Sequence, residues 1–165
     1  MFRRRNRDAL SEAGGQGAGL RAMALQLRPE DLGLTCGAGM AVWGVLMDTV
    51  MADGTWHCLV VFADGTTSLY TSSGFGVIGA GGHPRVRQAS EALLRAAESE
   101  LALFGPARDP ELPGAGQVAI RALTVNGHLV VTTSEDDFRH GRHPTSPVFH
   151  AAHEVITEVR LATPE

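Results

Sequence analysis

A glycine-rich stretch that precedes a predicted helix is the first candidate for chemistry in this chain. Residues 71–84 read TSSGFGVIGAGGHP and contain five glycines. The backbone N–H groups at a helix N-terminus are unpaired and attract anions, and an arginine guanidinium pairs with phosphate. The candidate ligands of a phosphate or nucleotide are therefore Gly79, Gly81, Gly82, Arg85 and Arg87.

The surroundings of this stretch favour a connecting loop over a phosphate site. Residues 74–79, GFGVIG, match the dinucleotide-binding fingerprint. However, the preceding strand belongs to a predicted antiparallel meander, and no Lys-Ser or Lys-Thr pair follows, as a P-loop requires. Pro84 also lacks an N–H group that a ligand would need. We predict a loop that leads the chain from sheet to helix, with small-anion binding as the alternative.

A second candidate site lies in the histidine-rich C-terminal region. Four of the seven histidines fall within residues 140–153. His150 and His153 are three positions apart, so on a helix they could share a metal ion with the adjacent Glu154. The motif HAAHE is not the HExxH of metalloproteases. We predict that both histidines are solvent-accessible and metal-free, with a metal-dependent activity at His150, His153 and Glu154 as a further alternative.

The sequence contains no convincing arrangement for nucleophilic catalysis. A G-x-S-x-G motif is missing from the sequence. His57 and Cys58 are neighbours, but adjacent side chains of a strand point to opposite faces of the sheet. We therefore predict no catalytic residue and no cofactor, which favours a non-enzymatic protein.

The composition of the chain narrows the classes of partner. With 165 residues, 44% of them hydrophobic, the chain can form one domain with a core. A formal net charge of −4 gives no electrostatic basis for binding nucleic acid. No apolar run approaches the roughly 20 residues of a membrane helix, and the basic start lacks the apolar segment of a secretory signal. We expect a cytoplasmic protein that binds neither nucleic acid nor membrane.

The first residues differ in composition from the rest of the chain. Residues 1–22 are rich in Arg, Gly and Ala and show no sustained hydrophobic period. This predicts a disordered tail followed by a single α+β domain over residues 23–165. A start of the natural chain at Met23 is the alternative.

Three turn signals divide the centre of the chain into predicted strands. Asp53-Gly54, Asp64-Gly65 and Asn126-Gly127 each separate two apolar runs, and such pairs tolerate the positive φ of hairpin turns. The predicted strands cover residues 41–51, 56–62, 66–72, 117–125 and 128–133.

Helical spacing predicts two long helices. One covers residues 83–104, with Pro84 in its first turn, and the other runs from Ser146, its predicted N-cap, to Leu161. A short helix is plausible within residues 28–34, and residues 134–147 read as irregular. The order β-β-β-α-β-β-α predicts an α+β fold with a largely antiparallel five-stranded sheet and two helices packed on it.

Two resemblances accompany this interpretation. The element order resembles that of the type III secretion chaperones and, more loosely, of profilin-like and roadblock-like modules. The stretches DGTTSLYTSSGFGVIGAGGHPRVR and GRHPTSPVFHAAHEVI resemble a group of small bacterial proteins of unassigned function. The second resemblance covers most of residues 40–160 and implies neither an activity nor a functional residue.

The first two predicted strands are apolar on both faces. Trp43 is expected to share a face with Val45 and Met47, and Trp43 and Trp56 are both expected to be shielded from water. Such a sheet must be covered on both sides. The two helices cover one face, so a second subunit or residues 23–40 must cover the other. We predict a protein-interaction module that homodimerises, or binds another protein, through an apolar sheet face.

Overall fold

The fold is an α+β sandwich built on one antiparallel sheet. The computed structural model describes residues 15–37, 39–74 and 76–163. Six strands follow the order β3-β2-β1-β5-β6-β4, and helices pack against the sheet. The predicted α+β class and antiparallel pairing are confirmed, whereas the predicted count of five strands is wrong.

Every neighbouring pair of strands is antiparallel. The strands are β1 (Gly44–Val50), β2 (Trp56–Phe62), β3 (Thr67–Thr71), β4 (Gly105–Pro106), β5 (Gln117–Thr124) and β6 (Gly127–Ser134). The helices are α1 (15–26), α2 (Pro84–Ser99), α3 (Glu135–Arg139) and α4 (Ser146–Ala162), with 3-10 turns at Pro29–Leu32, Ala80–Gly82 and Leu101–Leu103. Within the described residues, no helix is both long and apolar enough to cross a membrane.

The two Asp-Gly turns of the meander are built in the same way. Gly54 and Gly65 have φ angles of 86° and 97°, which favour glycine. Asp53 Oδ1 accepts hydrogen bonds from the N–H and hydroxyl groups of Thr55, at 3.0 and 2.6 Å. Asp64 accepts the equivalent pair from Thr66. These local contacts explain why the predicted bounds of β2 are correct.

Two short elements were missed by the sequence analysis. Strand β4 pairs with Leu129 and Val130 of β6, in a region for which no strand was predicted. Helix α3 replaces part of the expected irregular segment. Its N-cap, Ser134, accepts a hydrogen bond from the Asp137 N–H at 3.1 Å, and its first turn is acidic, which complements the helix dipole. The N-cap of α4 is Thr145 and not Ser146.

One face of the sheet forms the main core with α2 and α4. The two helices pack side by side over the central strands. The buried side chains come from the sheet (Val45, Met47, Leu59, Val61, Val118, Ile120) and from the helices (Val86, Leu93, Val148, Phe149, Ala152, Val155). This face is covered as the sequence predicted.

The second face of the sheet is covered by the N-terminal part of the same chain. Helix α1 buries Gly17, Arg21 and Ala24 against it. The half-buried apolar side chains of residues 25–40 extend the same cluster. The predicted disordered tail is therefore wrong for residues 15–22, while residues 1–14 lie outside the described residues.

Trp43 lies on the second face, contrary to the expectation that it joins Val45 and Met47. Its N–H donates to the Leu123 carbonyl at 2.9 Å, although Leu123 is already opposite Gly44. Two residues thus oppose one, as in a β-bulge, and the alternation of side chains shifts by one position. The Trp43 ring is buried and stacks on Phe62 at 5.7 Å between centroids. Trp56 is only half-buried.

Candidate functional site

The glycine-rich stretch folds back against the edge of the sheet. Leu69 and Val77 exchange two backbone hydrogen bonds, at 2.8 and 2.9 Å. A Cβ atom added at Gly81 would lie 1.7 Å from the Gly65 carbonyl oxygen. Glycine is needed here because two backbone segments are in contact, which is the role of a connector.

The predicted ligands of an anion at this loop do not converge. Arg85 and Arg87 are two positions apart on α2, so they leave the helix about 200° apart. Arg87 lies against the β2–β3 turn, 2.9 Å from the position of a Cβ at Gly65. Arg85 lines a groove between α2 and α4 together with Glu154 and Glu158. Anion binding by Gly79, Gly81, Gly82 and these arginines stays a prediction without support from the geometry.

The predicted metal ligands also face different surroundings. His150 is exposed and its ring meets Phe149 edge-on, whereas His153 is half-buried with its ring 4.4 Å from that of Phe149. Glu154 is exposed and lines the α2–α4 groove. In the part of the chain that the structure describes, no three His, Cys, Asp or Glu side chains are placed to hold a metal ion. His153 is less accessible than expected, because its Nε2 is buried.

Several buried polar atoms in the region of His153 have no hydrogen-bond partner in the part of the chain that the structure describes. They are Thr49 Oγ1, His57 Nε2 and His153 Nε2, and Thr49 is directly opposite His57 on the neighbouring strand. Burial, reinforced by the charge of Arg160, lowers the pKa of His57. Burial, reinforced by the repulsion that a protonated His57 would exert, lowers the pKa of His153. Both imidazoles are therefore neutral in the folded chain at neutral pH.

We expect the free energy of unfolding to decrease when the pH is lowered from 7.5 to 5.5. Burial lowers the folded-state pKa of His57, His128 and His153 below the unfolded value of about 6.5. The unfolded chain therefore binds protons first, and stability that is present above that value is lost as the pH falls towards the folded pKa values.

Urea denaturation at several pH values measures this dependence. His153→Phe should weaken the pH dependence, and His150→Phe at the exposed neighbouring position is the control. A chain that gains stability between pH 7.5 and 5.5 would refute this interpretation.

The residues that sequence reasoning missed surround a carboxylate buried at the centre of the second face. Asp48 is 0% exposed, in the middle of β1 between Cys58 of β2 and Ala119 of β5. Arg21 of α1 donates from Nε and Nη2 to the two carboxylate oxygens, each at 2.8 Å. This bidentate, charge-assisted pair joins the helix to the sheet.

A second guanidinium lies beside the same carboxylate. Arg121 Nε is 3.8 Å from Asp48 Oδ2 and has no hydrogen-bond partner among the described residues, although Arg121 is only 4% exposed. Its Nη1 and Nη2 donate to the carbonyl oxygens of Asp109 and Glu111, at 2.8 and 2.7 Å. Arg121 thus holds the β4–β5 connector against the sheet.

Burial and charge act in opposite directions in this cluster. Burial disfavours the charged form of Arg21, but the hydrogen bonds and charge of Asp48 outweigh it and raise the pKa of Arg21. For Arg121, burial dominates and lowers the pKa despite the nearby Asp48. Burial, followed by the charge of Asp48, raises the pKa of Cys58 well above its usual range. Cys58 is therefore a protonated thiol and not a nucleophile.

A cleft opens beside this charged cluster. It encloses about 510 Å³ between α1, the β4–β5 connector and the start of β6. Its walls include Arg21 and Leu25 of α1, Arg108 and Pro110 of the connector, Arg121 of β5 and His128 of β6.

No known family, curated protein or solved structure matches this chain. One signal for the buried cluster was present in the sequence, since Asp48 is the one charged residue within the apolar run 41–51. A charge inside a central strand requires a partner.

Proposed function

We propose that this protein is a non-enzymatic interaction module whose second sheet face binds a helix. We further propose that two copies form a homodimer by exchanging the N-terminal segment that contains α1. The observation that carries the proposal is the bidentate pair between Arg21 and the fully buried Asp48. Through this pair, a charge at the centre of the sheet selects a helix with an arginine at one position.

The ion pair supports specific docking better than it supports stability. Removing two charges from water costs about as much free energy as their attraction returns. A protein with apolar residues of similar volume in their place is therefore often at least as stable. A buried pair of this kind can instead fix which segment binds and in which register. A helix without the arginine would leave Asp48 without its bidentate partner, and the nearest remaining guanidinium nitrogen in the described cluster, Arg121 Nε, is 3.8 Å away.

The remaining contacts of α1 involve small side chains. Gly17 packs so closely that an added Cβ would lie 2.6 Å from the Thr71 carbonyl oxygen. The small side chain of Ala24 is buried as well. Leu20 and Leu25 are half-buried. Small side chains bury little apolar area, so hydrophobic contacts hold α1 weakly, which favours its release and recapture.

The connection between α1 and β1 is long enough for exchange. Residues 33–41 include Gly33, with φ of 68°, and Gly37 and Gly39. Nine extended residues can span about 30 Å, and exchange of an identical element is a low-cost route to a dimer. A dimer formed by two second sheet faces in direct contact would require α1 to leave both faces. Exchange of α1 instead preserves the Arg21–Asp48 pair in both copies.

Co-purification of two tagged copies tests this function. Full-length chains with different tags are incubated together at high concentration, and light scattering gives the mass of the species that carries both tags. We expect a dimer that contains both tags and that Arg21→Glu loses. Arg95→Glu, at an exposed position of α2, is the matched control. A strictly monomeric chain, or a dimer that Arg21→Glu leaves intact, would rule out the exchange.

A further inference from the structure

The buried cluster beside the cleft contains more positive than negative charge. Arg21 and Arg121 are less than 10% exposed and share one buried carboxylate, that of Asp48. The other carboxylates at the cleft, Asp109 and Glu111, are exposed, and the connector meets Arg121 through their main-chain oxygens. Solvated carboxylates compensate a buried charge weakly.

The cleft adds a third guanidinium that is free to bind. Arg108 is exposed and, among the described residues, makes no hydrogen bond or ion pair. A volume of about 510 Å³ is typical of sites for small molecules. Leu25, Ala107 and Pro110 supply an apolar wall next to the guanidinium groups.

We infer that this cleft binds a small organic monocarboxylate with an apolar body. The carboxylate would be held at Arg108, next to the buried Arg121, and the apolar body would lie along Leu25 and Pro110. A planar guanidinium suits a carboxylate because the two form parallel hydrogen bonds. Arg108 offers a single bidentate contact, which matches a ligand with one carboxylate. The site does not depend on helix exchange, since either copy's α1 completes the same cleft.

Titrations of ¹⁵N-labelled full-length protein test this site. The probes are benzoate and hexanoate, with benzamide and hexanamide as neutral analogues and sulfate as an inorganic anion. We expect saturable shifts of the amide signals of residues 107–109, 111, 121 and 128 with at least one carboxylate, and about tenfold weaker binding of its amide. Arg108→Ala should lower the affinity for the carboxylate by about tenfold as well, whereas Arg95→Ala on α2 should leave this affinity unchanged.

Three results would overturn the assignment. They are the lack of saturable shifts with either carboxylate up to about 10 mM, equal binding of acid and amide, and tighter binding of sulfate than of both carboxylates. An affinity for the carboxylate that Arg108→Ala leaves unchanged would also show that Arg108 does not contact the ligand. None of these results bears on whether α1 is exchanged between copies.

Discussion

Replacing Asp48 with Val is expected to lower the free energy of unfolding by about 3–5 kcal/mol. The change removes the carboxylate that accepts both hydrogen bonds from Arg21 and that faces Arg121. Two guanidinium groups would then remain at a largely buried site without a counter-charge. Chemical denaturation followed by tryptophan fluorescence measures the loss, since Trp43 is buried on the same face.

The matched control for this prediction is the double variant Asp48→Val, Arg21→Met. It replaces the buried pair by apolar side chains, and such replacements are often neutral or stabilising. We expect the double variant to recover most of the stability that Asp48→Val loses, with a residual loss because Arg121 stays buried without the Asp48 carboxylate beside it. If the single and double variants lose the same stability, the ion pair is not the reason for the loss.

Replacing Gly81 with Ala is expected to lower the free energy of unfolding by about 3 kcal/mol. The new Cβ atom would lie 1.7 Å from the Gly65 carbonyl oxygen, so two backbone segments would have to separate. That separation would displace the glycine-rich stretch from the β2–β3 turn and disturb the start of α2.

Gly82→Ala is the control for Gly81→Ala. A Cβ atom at Gly82 meets nothing within 4 Å, and the φ angle of Gly82 does not lie in the left-handed region. This variant should therefore keep the stability of the wild type. Thermal unfolding of the two variants compares them directly, and equal melting temperatures would show that the close contact at Gly81 does not exist.

Local signals made the central strands predictable. The Asp-Gly and Asn-Gly pairs each specify a turn through glycine at positive φ, and the turns then set the bounds of the strands between them. Pro84 and Pro147 fall in the first turns of α2 and α4, as predicted. These elements depend on residues close together in the sequence.

Helix α1 was not predictable from its hydrophobic pattern. The residues that it buries are Gly17, Arg21 and Ala24, which include no large apolar side chain. The helix is stabilised by a pair between residues 27 positions apart, which no local window contains. The bulge at Trp43 was missed for a similar reason, because it depends on the register between β1 and β5.

The candidate sites also differ between what local sequence patterns indicate and what the tertiary fold brings together. The residue types at the glycine loop and in the histidine-rich region are compatible with binding chemistry, but the side chains of Arg85 and Arg87, or of His153 and Glu154, face different surroundings. The cleft beside Asp48 combines residues from α1, the β4–β5 connector, β5 and β6. Only the tertiary fold brings these together.

Mixing two complementary variants tests the proposed helix exchange most directly. In the Asp48→Val chain Arg21 has lost its acceptor, and in the Arg21→Met chain Asp48 has lost its donor. An exchanged heterodimer contains one native Arg21–Asp48 pair and one apolar Met–Val pair, so both interfaces are matched. We predict that the mixture forms a dimer that is more stable than either variant alone, although one of its two faces still lacks the carboxylate beside Arg121. A mixture that remains monomeric and unfolds as the sum of its two components would contradict the exchange.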